Sequence, residues 1–128
     1  MRTSRVPNRL LLAGSVCAAL AAALTGCSHT VAVGSKRVLR VALTEYRVVP
    51  QSVQARSGPL TLIVENEGRL THNLAVTSKG TVLGQTPPIQ PGQSADLFIT
   101  LSAGSYVMSS TLFADQALGV YGTLTVIS

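Results

Sequence analysis

The sequence predicts an all-β protein, a Greek-key β-sandwich of seven to eight strands that follows an N-terminal targeting segment. From residue 37 onward, apolar and polar residues alternate at a period of two in most segments, which is the spacing of half-buried strands. Gly, Pro and Asn residues separate these segments, and no long helical pattern follows residue 24. Short strands with turn signals between them are typical of antiparallel sandwiches.

The first 26 residues resemble the signal peptide of a bacterial lipoprotein. Three arginines precede an apolar run of 15 residues, from 10 to 24, which is short for a membrane-spanning helix. The run ends in Leu24-Thr25-Gly26-Cys27, which resembles a lipobox, so we expect cleavage after residue 26 and a diacylglycerol on the Cys27 thiol. An ordinary secreted protein with a chance cysteine and a retained membrane helix are the alternatives.

We therefore expect a cleaved signal peptide over residues 1–26, a lipidated tether over residues 27–36 and a folded domain over residues 37–128. The tether is small and polar, and His29 within it is expected to be a solvent-exposed linker residue. Cys17 leaves with the signal peptide and Cys27 is consumed by lipid, so the domain has no disulfide. Its stability must therefore come from the burial of apolar surface.

The charge of the mature chain is small. Residues 27–128 carry seven Lys and Arg against five Asp and Glu, a net charge of about +2. No basic stripe with interleaved aromatic residues occurs, so the sequence does not favour nucleic-acid binding. The basic residues are spread along the chain, except for a cluster of three, Lys36, Arg37 and Arg40. This cluster either lies on a solvent-exposed strand edge or contacts the headgroups of anionic lipids.

Candidate strands follow one another from the end of the tether. Pro50, the Ser57-Gly58-Pro59 turn and the proline-rich stretch 87–92 interrupt them, and the segment around residues 81–83 is a weaker candidate. The alternation predicts that Leu60, Leu62 and Val64 share one face. The predicted strands are residues 38–43, 46–49, 52–56, 60–66, 72–76 and 95–101.

The last two strands enclose a loop. Residues 106–110 alternate as a strand, a loop of about ten residues follows, and residues 121–126 form a second β-rich run in which Leu124 and Val126 share a face. Two neighbouring strands joined by such a loop form a cup at one end of a sandwich.

Residues 104–126 resemble the closing motif of the cupredoxin family, Gly-x-Tyr-x-Phe-x-Cys-x4-His-x4-Met-x-Gly-x-Leu-x-Val, with no gap. Earlier pieces of the pattern occur in the same order: Glu45-Tyr46 with Val49-Pro50, residues 62–68 before His72-Asn73-Leu74, and Pro91-Gly92-Gln93. The resemblance covers roughly residues 38–127. It implies a cupredoxin-like sandwich, in which the cup would hold copper.

The sequence departs from the family at the copper ligands. Ser110 stands at the cysteine position, Asp115 at the second histidine and Val120 at the methionine, and only His72 matches. A blue-copper site needs two imidazoles and one thiolate. An alcohol does not ionise near neutral pH without strong activation, so we expect no electron transfer by a type 1 copper.

Several roles remain open for the residues at these positions. His72 is either an ordinary histidine hydrogen-bonded to a neighbour, or a weak Cu(II) or Zn(II) ligand together with Asp115, with or without His29 as a third ligand. Met108 replaces the inward aromatic residue of the family, so it is expected in the core, and a Met108–His72 pair for Cu(I) is the least favoured reading. The resemblance implies that Asn73 pins the loops together near Thr111.

Ser110, His72 and Asp115 are also the residue types of a hydrolytic triad. The resemblance offers neither an exposed, strained nucleophile nor an oxyanion hole, so we expect no enzyme. The expected function is a lipid-anchored extracytoplasmic module with a non-catalytic binding or accessory role. The membrane is one partner, through Cys27, and an envelope protein or small ligand at the Leu112-Phe113-Ala114 loop is another. The alternative is a copper- or other divalent-metal-binding protein of the cell envelope that uses His72.

The lipobox reading predicts that Cys27→Ala abolishes membrane anchoring. A diacylglycerol carries two acyl chains, which is sufficient for stable membrane association. In detergent phase partitioning, the parent protein should therefore enter the detergent phase and Cys27→Ala the aqueous phase. A variant that partitions like the parent and is cleaved at the same position would show that the lipobox reading is wrong.

Overall fold

The structure, a computed structural model, describes residues 29–112, 118 and 120–128. Within these ranges ten strands form two sheets that pack face to face. The strands are β1 (Thr30–Ala32), β2 (Val38–Thr44), β3 (Arg47–Val49), β4 (Ser52–Arg56), β5 (Gly58–Asn66), β6 (Ala75–Ser78), β7 (Thr81–Gln85), β8 (Ser94–Leu101), β9 (Gly104–Ser109) and β10 (Tyr121–Ile127).

The larger sheet has the order β1-β4-β10-β9-β6-β7, and the smaller one has the order β3-β2-β5-β8. The predicted all-β sandwich is confirmed, with more strands than the seven to eight expected. Three neighbouring pairs are parallel, β1 with β4, β4 with β10 and β2 with β5. The parallel pairs arise because the chain crosses to the other sheet for β4 and then returns beside β2 as β5. The remaining pairs are antiparallel.

Aliphatic side chains fill the space between the sheets. On β2, β5 and β10 every second residue is buried, as the alternation predicts. Each fully buried Val or Leu contributes about 1.5–3 kcal/mol relative to an exposed one. The largest fully buried side chains in this layer are Leu43, Leu62, Leu74, Met108 and Leu124. Met108 therefore lies in the core, as expected.

The N-terminal boundary of the domain differs from the expected tether. Thr30–Ala32 forms β1, in parallel register with β4 from Thr30 opposite Ser52. The N–H of Val33 donates to the carbonyl of Gln54 at 2.8 Å, and the Val33 side chain packs against the core. His29 is exposed, as expected, immediately before this strand. Residues 1–28, which include the expected signal peptide and Cys27, lie outside the described residues.

Two basic residues near the start of β2, Arg37 and Arg40, make different contacts. Arg37 has a positive φ of 59°, and its guanidinium donates to the carbonyls of Pro59 at 2.9 Å and Arg56 at 2.6 Å. It thereby ties the turn before β5 to the start of β2. Arg40 lies on the exposed face of β2 and forms an ion pair with Glu65 at 3.1 Å. These contacts favour the solvated-edge interpretation of Arg37 and Arg40 over a lipid contact.

Gly122 lies where β10 passes the connection between β3 and β4. A Cβ at this position would lie 2.9 Å from the carbonyl oxygen of Gln51, which already accepts the N–H of Thr123 at 2.7 Å. Because the obstacle is backbone held by a hydrogen bond, it cannot rotate aside. We therefore expect Gly122→Ala to lower the free energy of unfolding by about 1–3 kcal/mol, measured by urea denaturation.

Gly34→Ala is the matched control, because a Cβ there would meet nothing within 4 Å. Its effect should stay within about 0.5 kcal/mol. Equal stability losses in the two variants would contradict the close approach of β10 to Gln51.

Candidate functional site

Several strands meet at one end of the sandwich, which we call the upper end and define by Glu45, Asn66, His72, Ser110 and Val120. In the larger sheet Ser109 pairs with both Ala75 and Tyr121, so β6, β9 and β10 have residues 75, 109 and 121 at the same level. In the smaller sheet β2 and β5 both end here, with Leu43 opposite Asn66. The loops that contain the sequence-predicted site residues therefore leave the sheets together.

Asn73 joins the loop before β6 to the residues after β9. Its Oδ1 accepts hydrogen bonds from the hydroxyl of Ser110 at 3.1 Å and from the N–H of Thr111 at 2.8 Å. Its Nδ2 donates to the Thr111 hydroxyl at 2.9 Å, and its own N–H donates to Ser110 Oγ at 3.3 Å. The expected contact between Asn73 and Thr111 is confirmed. The buried polar groups of Asn73 and Ser110 thus satisfy one another.

His72 is held between the two sheets. Its backbone forms an isolated bridge with Ile89, with N–H to carbonyl distances of 3.2 and 2.7 Å in the two directions. The imidazole is 1% exposed, and its Nε2 lies 3.5 Å from Oε1 of Glu45. β6 begins only at Ala75, so residues 72–74 connect the sheets instead of starting the predicted strand at 72.

Glu45 is a site residue that the sequence reading did not single out. Its carboxylate accepts the backbone N–H groups of Leu70 (2.8 Å) and Arg69, in addition to its contact with His72. The backbone hydrogen bonds from Leu70 and Arg69, with a smaller contribution from the His72 contact, lower the pKa of Glu45 from its usual 4.5 to about 2. Gly68 allows the close approach, because a Cβ there would lie 2.6 Å from Glu45 Oε1.

Asn66 organises the same loop from the inside. It is buried, and its Nδ2 donates to the carbonyls of Leu70 and Ile89, each at 2.8 Å, while its Oδ1 accepts the N–H of Gly68 at 2.9 Å. Asn66 and Glu45 together bind the loop that leads to His72 from two sides. In the sequence, an Asn followed by a Gly two residues later is a local indication of such a turn, because Asn side chains often accept the N–H of the second residue after them.

Ser110 and Val120 lie side by side. The N–H of Ser110 donates to the carbonyl of Val120 at 3.3 Å, and both residues are buried. The structure therefore brings Ser110 and Val120 to the same end as His72. Asp115, Phe113 and Ala114 lie outside the described residues, so the expected pairing of Asp115 with His72 stays a prediction.

No protein-family model matches the sequence, and no curated protein matches it significantly. Solved structures do match the fold. The auracyanin of the photosynthetic bacterium Roseiflexus castenholzii gives a TM-score of 0.66 at 18% identity, over 74% of this chain and 100% of that chain. The fold is cupredoxin-like. The azurin of Methylomonas sp. strain J gives a TM-score of 0.60 at 15% identity, over 71% of this chain and 98% of that chain. A purple cupredoxin of Nitrosopumilus maritimus gives a TM-score of 0.55 at 19% identity, over 69% of this chain and 98% of that chain.

The upper end of this cupredoxin-like domain has an unusual donor set for a copper protein. Beyond residue 28 the sequence has no cysteine, and its two histidines are His29 and His72. Val120 offers no donor, and the Ser110 hydroxyl is hydrogen-bonded to Asn73. Within the described ranges, no group of three or more His, Cys, Asp or Glu side chains is placed to hold a metal ion. These residues do not fit the trigonal His2Cys arrangement of a type 1 centre.

No helix of the described part of the chain is long and apolar enough to cross a membrane.

The low pKa of Glu45 predicts acid sensitivity. A carboxylate with a lowered pKa in the folded state contributes stability above the unfolded value, and this contribution is lost as pH falls through the folded value. For Glu45 the window runs from pH 4.5 down to about 2. We expect the free energy of unfolding of the parent to fall across this window, and Glu45→Gln to remove that part of the dependence.

Glu65→Gln is the control, because it also removes one carboxylate but lies on the outer face of β5. The free energy of unfolding of Glu65→Gln should still fall across this pH window, because Glu45 is intact. Parallel pH profiles for the parent and Glu45→Gln, from chemical denaturation, would contradict the role assigned to Glu45.

Proposed function

We propose that this protein is a lipid-anchored, extracytoplasmic cupredoxin-like module with a non-catalytic binding or accessory role and without a type 1 copper site. The observation that carries the proposal is the environment of Ser110. Its hydroxyl is buried and donates to the amide oxygen of Asn73, where the family resemblance places the copper-binding cysteine. A thiolate is the ligand that defines a blue-copper centre, and a hydrogen-bonded alcohol does not replace it.

The same contact argues against a hydrolase. A serine nucleophile needs a base that accepts its proton, and the Ser110 hydroxyl donates to an amide, which is not a base. The residue is also 1% exposed, so a substrate would have no direct approach to Oγ. Ser110 therefore supports the closure of the upper end and not a reaction there.

The alternative function, binding of copper or another divalent metal through His72, is favoured by one contact. The imidazole Nε2 faces the Glu45 carboxylate, and ligating histidines usually place a carboxylate on the nitrogen that does not bind the metal. Asp115 would supply an oxygen ligand. Binding of a partner at residues 112–114 does not depend on this alternative, because the loop could contact a partner without a metal ion.

Copper titration distinguishes the two functions. We expect addition of Cu(II) to the wild-type protein to give no intense visible charge-transfer band, because no thiolate is present. Any Cu(II) that binds should be lost in His72→Ala. A strong blue colour in the wild type would overturn the proposed absence of a type 1 site. A stoichiometric Cu(II) complex that depends on His72 and shows only weak visible absorption would favour the alternative.

The positive control is the triple variant Ser110→Cys, Asp115→His, Val120→Met. It supplies a thiolate, a second imidazole and an axial thioether at the positions that the family motif assigns to them. We expect a blue or green copper complex that disappears when His72→Ala is added. A folded triple variant that binds no copper at the new cysteine would show that these four side chains do not converge.

A further inference from the structure

The start of β1 restricts how the domain can lie relative to a lipid at Cys27. β1 is held in register against β4 from Thr30 onward, and Val33 continues the pairing with Gln54. Only Ser28 and His29 separate Cys27 from this fixed strand. Three residue steps span at most about 10 Å in a fully extended chain. The lipid-bearing residue therefore stays close to the edge of the larger sheet at which β1 begins.

This starting point lies near the upper end. Ser52 pairs with Thr30 on one side and with Thr123 on the other, two residues beyond the start of β10. From Thr123, β10 runs toward the lower end as far as Ile127, opposite Arg56, a distance of about 13 Å at 3.3 Å per residue. The lower end, where Lys36, Arg37 and Arg56 lie, is thus farther from Thr30 than the ten-ångström reach allows.

The surface around this point has the composition of a membrane interface. β1 and β3 form the two walls of a groove of about 390 Å³, lined by the apolar side chains of Val31 and Val49 and by the basic residues His29 and Arg47. Apolar side chains beside the Arg47 guanidinium suit the boundary between phosphate headgroups and acyl chains.

Two larger apolar side chains extend this surface onto the upper end. Tyr46 is 63% exposed and directly precedes Arg47 of the groove. Leu70 is 57% exposed, and its N–H binds the carboxylate of Glu45, the residue before Tyr46. Tyrosine is enriched at the headgroup level because its ring is amphipathic. We call Val31, Tyr46, Val49 and Leu70, together with the groove, the anchor-side surface.

We infer that the anchor-side surface rests on the phospholipid bilayer, so that the end carrying Glu45, His72 and Ser110 faces the headgroups and not the aqueous phase. The inference rests on the proposed lipidation of Cys27 and specifies the geometry that the anchor imposes. The phosphate groups of the lipids neutralise Arg47, while the apolar side chains reach the acyl boundary.

The absence of tryptophan in the sequence allows a site-specific test. The full-length lipidated protein is reconstituted into vesicles of phosphatidylcholine and phosphatidylglycerol with brominated acyl chains, and each variant carries one tryptophan. Tyr46→Trp reports on the anchor-side surface, and Leu70→Trp is a second reporter in case the first variant does not fold. Phe98→Trp is the control. Phe98 is 75% exposed on β8, opposite Thr61, about 17 Å along β5 from Asn66.

We expect bromolipid to reduce the emission of Tyr46→Trp or Leu70→Trp at least about two-fold more than that of Phe98→Trp, since interfacial side chains penetrate about 5–10 Å into the boundary region. Co-flotation with the vesicles is measured on the same samples. Protein that floats but shows equal quenching at the two positions, or stronger quenching at residue 98, overturns the orientation and leaves the anchor intact. Protein that does not float overturns the anchor and the orientation together.

Discussion

A layer of aliphatic side chains between the two sheets holds this domain together without a covalent cross-link. The sequence beyond residue 28 contains no cysteine, so neither a disulfide nor a metal–thiolate bond contributes to stability. The burial alternates with the pleat on β2, β5 and β10, and a shift of one residue in any of these strands would expose its apolar set. The register of the sandwich, and hence the position of every loop at the upper end, depends on this layer.

At the upper end, two networks of hydrogen bonds hold the loops together. One network centres on Asn73 and joins the loop before β6 to Ser110 and Thr111. A second network, from Glu45 and Asn66, binds the backbone of residues 68–70. Since buried polar groups without partners cost about 1–3 kcal/mol each, such networks are strongly favoured once the side chains are buried. They hold the backbone on both sides of His72 in place.

The sequence allowed the regular strands to be predicted, and it failed where distant residues decide the structure. β4 was predicted with its observed bounds, and β2, β5 and β8 within two residues, because their alternation is local. β1 was missed, since all three of its residues are exposed and only the pairing with β4 defines it. Glu45 was not recognised as a site residue because its partners lie 24 to 27 positions along the chain. The contact of Asn73 with Thr111 was predicted through the family motif, which encodes a long-range pair that spacing alone does not.

The short strand β1 also determines how the domain responds to mechanical load. A protein held by its N-terminus and pulled by a bound partner transmits the force through the first ordered strand. Because β1 runs away from its N-terminal end alongside β4, tension along the strand loads the hydrogen bonds of this pair together in shear and does not open them one at a time. Behind it, the Arg37 guanidinium binds carbonyls on the far side of the domain. Under a load applied at the N-terminus, these three residues of strand would therefore carry the force into the sandwich.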